Sequence, residues 1–92
     1  MGLAFRFDEE RMRFIGERDG TEIAFARLAD TGNGTLRINH VEVLRSEENK
    51  GHASALMKAL LEDARARGKK VVPVCPFAGA YLRRHPEYED LQ

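Results

Sequence analysis

The chain alternates apolar and polar positions in its first half and changes to a helical period in its second. Leu3, Phe5 and Phe7 alternate with Ala4, Arg6 and Asp8, the period of a half-buried strand. Met12 and Phe14 alternate with Arg11 and Arg13 and predict a second strand. Asp19-Gly20 follows, a pair that tolerates positive φ at both central positions of a hairpin turn. "TEIAFARL" (21–28) predicts a third strand, and "DTGNG" (30–34) a longer turn.

The next segment, "TLRINHVEVL" (35–44), breaks its own pattern. Leu36 and Ile38 are apolar on one parity, Val41 and Val43 on the other. A regular strand cannot bury both sets on one face. One extra residue near Asn39-His40 restores the register, which predicts a β-bulge in a fourth strand. The alternative is a strand buried on both faces.

Ala53, Leu56, Met57, Leu60, Leu61 and Ala64 then recur at i, i+3, i+4, i+7, i+8 and i+11, with Lys58, Glu62, Asp63 and Arg65 on the other side. This is an amphipathic helix, stopped by Gly68. "KKVVPV" (69–74) reads as a short fifth strand. Pro73 confines it to a sheet edge, because it lacks a ladder donor. Pro76 suits the first position of a final helix, which ends near Arg84 before His85-Pro86. The order is β-β-β-β-α-β-α. Strand 4, the helix and strand 5 form one crossover, so strands 4 and 5 should lie parallel.

Ninety-two residues fit a single domain, 1–92. Hydrophobic residues make up 42% and charged residues 33%, a globular balance. Fifteen basic residues offset fifteen acidic ones, so bulk charge gives no footing for nucleic acid or a membrane surface. No apolar run approaches the roughly 20 residues of a membrane span. One cysteine excludes an internal disulfide, and no signal-peptide pattern opens the chain. The expected location is a reducing cytoplasm.

That cysteine, Cys75, stands at the predicted N-cap of the final helix, where partial positive charge favours a thiolate. Its plain alternative is a buried structural thiol. "NKGHAS" (49–54) opens the long helix with small residues. Free N–H groups at such a start hold phosphate oxygens, and Gly51 permits close approach to the backbone. His40 and Glu42 share a parity at the bulge, and either can take a proton near neutral pH; otherwise both are half-exposed strand residues. Cys75 with His40, His52 and His85 matches no zinc spacing, so no metal is expected. Lacking a Cys-x-x-Cys pair, the chain does not read as a redox protein.

Taken together, the crossover, the glycine loop, "HVEV" (40–43) and "CPFAGAYLRRHPEY" (75–88) resemble the GNAT superfamily of acetyl-CoA-dependent N-acetyltransferases, and within it a minimal branch. The resemblance covers 35–90. It implies an α/β (α+β) single-domain fold whose mixed sheet is splayed between strands 4 and 5. It implies acetyl-CoA as co-substrate, its pantetheine arm on the backbone of Val41 and Val43. The diphosphate would rest on the loop Asn49, Lys50, Gly51, His52, Ala53 and Ser54. Cys75, His40 and Glu42 become the catalytic candidates, with His40 across the splay from the thiol. Tyr81 falls one residue before the position where larger members carry a tyrosine acid. The loop departs from the family's Arg/Gln-x-x-Gly-x-Gly/Ala in having Glu48 first. A carboxylate there repels a diphosphate by about a kcal/mol when exposed, and Lys50, Arg45 and His52 are the candidates to offset it.

Two functions fit this reading. One is transfer of acetyl from acetyl-CoA to an unidentified amine acceptor, directly or through Cys75. The other is a non-catalytic acyl-CoA-binding or protein-interaction module.

Overall fold

The structure is a computed structural model and describes residues 2–92. Its strands are β1 (Ala4–Asp8), β2 (Arg13–Arg18), β3 (Thr21–Asp30), β4 (Thr35–Val43) and β5 (Lys70–Pro73). They form one sheet in the order β1-β2-β3-β4-β5. The first three pairings are antiparallel and β4 with β5 is parallel. Helix α1 (His52–Ala66) makes the crossover, and α2 (Pro76–Arg84) follows β5. Short 3-10 segments occupy Arg45–Glu47 and Pro86–Leu91. Among the described residues no helix is long and apolar enough to cross a membrane.

The parity break in β4 is a bulge. Arg27 pairs with His40 and Leu28 with Ile38, so Asn39 is the extra residue. Leu36 and Ile38 before it, and Val41 and Val43 after it, therefore meet the same core. A second bulge was not visible in the pattern. Gly16 pairs with Ala24 and Glu17 with Glu22, which leaves Ile23 unmatched. The start of β2 also differs from expectation. Met12 lies outside the strand at φ 55°, and its carbonyl accepts the Leu28 amide at 2.8 Å. The turn after β1 runs through Met12, whose side chain still packs against the core.

Both helices cover one face of the sheet. Leu56, Met57, Leu60 and Leu61 of α1 are buried against Ala24, Ala26, Leu28, Leu36 and Ile38. Each such side chain contributes about 1.5–3 kcal/mol of transfer free energy. Ala53 begins that helical stripe but is only half-buried. The end of α1 is a Schellman cap, with Lys69 N–H on the Ala64 carbonyl and Gly68 N–H on the Arg65 carbonyl. Gly68 takes φ 69°, so glycine suits the stop.

The Pro86–Leu91 turn, which no pattern announced, closes the bottom of the core with Tyr88 and Leu91. Tyr88 donates its hydroxyl to Glu62 Oε2 at 2.8 Å. Burial, then the Glu62 carboxylate, pushes that phenol up to about 12.

The other sheet face carries no helix. Ile15 is buried there beneath ion pairs. Arg6 Nε lies 3.4 Å from Glu17. Arg13 pairs with Glu22 and lays its guanidinium 4.2 Å over the Phe25 ring. Apolar residues on this face are thus shielded by arginine stems.

Candidate functional site

β4 and β5 separate midway. Their ladder runs from Thr35–Lys70 to Ile38–Pro73. The amides of Val74 and Cys75 both bond the Ile38 carbonyl, at 3.1 and 2.9 Å. Beyond that point β5 bends into α2, while β4 continues to Val43 beside β3 alone. The result is a wedge with its apex at Ile38.

The edge of β4 inside the wedge follows from its pairing. Leu44 N–H bonds the Ile23 carbonyl at 2.9 Å. Antiparallel pairs alternate between bonded and non-bonded rungs. Positions 44, 42 and 40 therefore bond to β3, and the N–H and C=O groups of Val41 and Val43 point into the wedge. An unpaired donor–acceptor row of this kind takes an extended amide-bearing chain as it would take a strand.

A cleft of about 350 Å³ opens at the start of α1, lined by Val43, Glu47, Glu48, Asn49 and residues 51–54. Gly51 is the N-cap at φ 82° and no side chain caps the helix. Its carbonyl accepts the Ala55 amide, so the amides of His52, Ala53 and Ser54 lie before the first intrahelical bond. Asn49 is also left-handed, at φ 65°. Uncapped amides at the positive end of a 15-residue helix fit a phosphate-bearing group.

Seven of the eight loop and strand residues anticipated for a cofactor sit in this arrangement. The exception is Lys50, which does not line the cleft and turns its Nζ to within 3.6 Å of Glu47. Sequence reasoning missed Glu47 itself. Its side chain is 13% exposed. Oε2 accepts from Arg18 at 2.6 Å, and Oε1 meets His52 Nε2 at 3.2 Å. The Arg18 hydrogen bond, helped by that of His52, lowers the Glu47 carboxyl against the opposing cost of burial. So Lys50 and His52 compensate Glu47, while Glu48 stays exposed in the cleft wall. Arg18 lies 29 positions away from Glu47, and no local signal marks that pair.

Cys75 is the N-cap of α2 at the wedge apex. The residue is 8% exposed and belongs to the helix-side core with Ala78 and Tyr81. His40 and Glu42 lie on the opposite sheet face. His40 Nε2 meets Glu42 Oε1 at 2.9 Å, and the ring sits 6.2 Å from that of Phe25. The structure brings His40 together with Glu42. It does not join either to the Cys75 thiol, because the bulge sends Val41, not His40, toward the helices. Tyr81 stacks on His85 at 3.8 Å. Burial, with Glu87 and Glu62, raises its phenol. That hydroxyl has no hydrogen-bond partner among the described residues, and no fully buried side-chain oxygen is left unbonded. The Tyr81 hydroxyl therefore reaches solvent.

Residues 13–91 match the family described as GCN5-related N-acetyl-transferase, which extends the likeness upstream of residue 35 into β2. A comparison with curated proteins matches nothing. Among solved structures, a GCN5-like protein of Staphylococcus aureus superposes with a TM-score of 0.72 at 26% identity, over 98% of this chain and 87% of that one. The ribosomal-protein-S18-alanine N-acetyltransferase of Escherichia coli gives 0.66 at 18% identity, over 83% of this chain and 52% of that one. An IAA acetyltransferase of Bacillus cereus gives 0.61 at 18%, over 78% and 51%. The chain spans about half the length of these last two and shares their fold. The chain belongs to the GCN5-related N-acetyltransferase family of acetyl-transferring enzymes.

Proposed function

We propose that the protein transfers acetyl from acetyl-CoA directly to an amine, with the thioester arm in the β4/β5 wedge and the diphosphate at the start of α1. The observation that carries this reading is the adjacency of two unsatisfied backbone sets. One is the Val41–Val43 edge of β4; the other is the uncapped amides of residues 52–54. A pantetheine arm offers amides to the first, and a diphosphate offers oxygens to the second.

In this reading the acceptor arrives from the helix-free face. An ammonium loses its proton to the His40–Glu42 pair, in which the carboxylate holds the imidazole. The amine nitrogen then attacks the thioester carbonyl. A C–N bond forms and the C–S bond breaks; the nitrogen releases its second proton to solvent as the amide forms, and the CoA thiolate takes up one proton as it leaves. The Tyr81 hydroxyl, on the helix side with Cys75, is the candidate donor of that proton. Cys75 forms the wall at the apex. The separation of its thiol from His40 favours direct transfer over an acetyl-cysteine route, which needs a base at the sulfur.

Intact-mass measurement after mixing with acetyl-CoA tests this. The expected result is no Cys75-dependent gain of one acetyl, with turnover retained in Cys75→Ala and reduced about 10²-fold or more in Glu42→Gln paired with His40→Gln. A Cys75-dependent adduct that forms and decays at the rate of turnover would contradict direct transfer. Tight acetyl-CoA binding with no thiol release across an amine panel would instead make the chain a binding module.

A further inference from the structure

We propose that the acceptor is an amine that also carries a carboxylate, such as an α-amino acid or an acidic peptide, held on the helix-free sheet face by Arg27 and Arg37. The proposal rests on the wedge reading above and adds the class of molecule that meets it.

Two arginines on that face are already paired. Arg6 is satisfied by Glu17 and Arg13 by Glu22. Arg27 and Arg37 are exposed and make no ion pair or side-chain hydrogen bond among the described residues. Both lie beside the wedge. Arg37 pairs across the last rungs of the β4/β5 ladder with Val72, one residue before Ile38. Arg27 stands directly opposite His40 on β3. Arg37 is opposite Ala29, two residues along β3 from Arg27, so the guanidiniums are diagonal neighbours within reach of one ligand.

Opposite charge sits on the far side of His40. Glu42 is 58% exposed and, among the described residues, its only ionic partner is His40. Along β4 the face therefore reads cation, imidazole, carboxylate. That order complements a ligand with an anionic end and an ammonium end. The carboxylate takes the two guanidiniums, which suit planar oxyanions. The ammonium is then drawn to Glu42 and His40, beside the point where the strands part. A polyamine meets the reverse situation, with two unneutralised cations beside the base. Exposed Val72 and Val74 on the β5 side add apolar contact for the carbon between the two ends.

The test compares L-glutamate with putrescine, an amine of similar length that has no carboxylate. With acetyl-CoA present, glutamate is expected to be the better acceptor. Arg27→Gln and Arg37→Gln are each expected to raise its KM about tenfold, while the KM for acetyl-CoA stays unchanged and the use of putrescine improves as a repelling cation is removed. Separately, titrating glutamate without acetyl-CoA into labelled protein should shift the amides of residues 27 and 37–42, and the double variant should abolish those shifts. Preference for putrescine, or glutamate shifts that survive in the double variant, would overturn the proposal. Failure of the wedge reading has a different signature, since acetyl-CoA would then leave the amides of 41–43 and 52–54 unmoved.

Discussion

At the scale of single residues, Glu47 ties distant parts of the chain together. Its carboxylate joins the β2–β3 hairpin, through Arg18, to the start of α1, through His52. Its carboxyl is lowered from an ordinary value of 4.5 when folded. The sign follows from linkage: a depressed acid stabilises fully above its unfolded pKa, and the benefit disappears as pH falls through the folded one. Glu47→Gln should therefore lower stability at pH 7, and the gap to the parent should close as pH drops below about 4.5. Denaturant melts at a series of pH values check this. A gap that stays constant down to pH 3 would contradict it. His40 and Glu42 were legible as a pair because they are two apart on one strand. The separation of His40 from Cys75 was not, since it depends on which side of the bulge each faces.

At the scale of elements, the bulge and the α1 entrance set the site. The bulge could be read from the sequence because burial writes itself into parity. Two apolar sets of opposite parity on one strand leave few geometries. The Ile23 bulge left no such trace, because Ala24, Ala26 and Leu28 keep one parity right up to it. Met12 misled for a related reason: an apolar residue in a turn completes an alternation that the backbone does not follow. At the entrance of α1, Gly51 combines φ 82° with open space where a side chain would lie. Gly51→Val should then cost about 1–2 kcal/mol through backbone strain alone. Thermal unfolding should show a drop of several degrees, and calorimetry a weaker affinity for CoA. A variant with unchanged melting and unchanged affinity would remove the loop from the account.

At the scale of the molecule, one core on one sheet face leaves the other face free. The helices seal the side that holds Cys75 and Tyr81; the other presents Arg27, Arg37, His40 and Glu42. The element order was legible almost throughout, because each strand and helix has its own period. The final turn was not, since Tyr88 and Leu91 are too short a stretch to show one and are buried by their contact with α1. The division into a buried side and an open side gives the protein two approaches to one wedge. The most direct test is a titration of CoA into isotopically labelled protein, followed by amide resonances. The account predicts that shifts concentrate at Val41, Val43 and residues 51–54. Shifts that gather instead around Pro73, Arg83 and Gln92, where a second cleft lies, or no shifts at millimolar CoA, would contradict it.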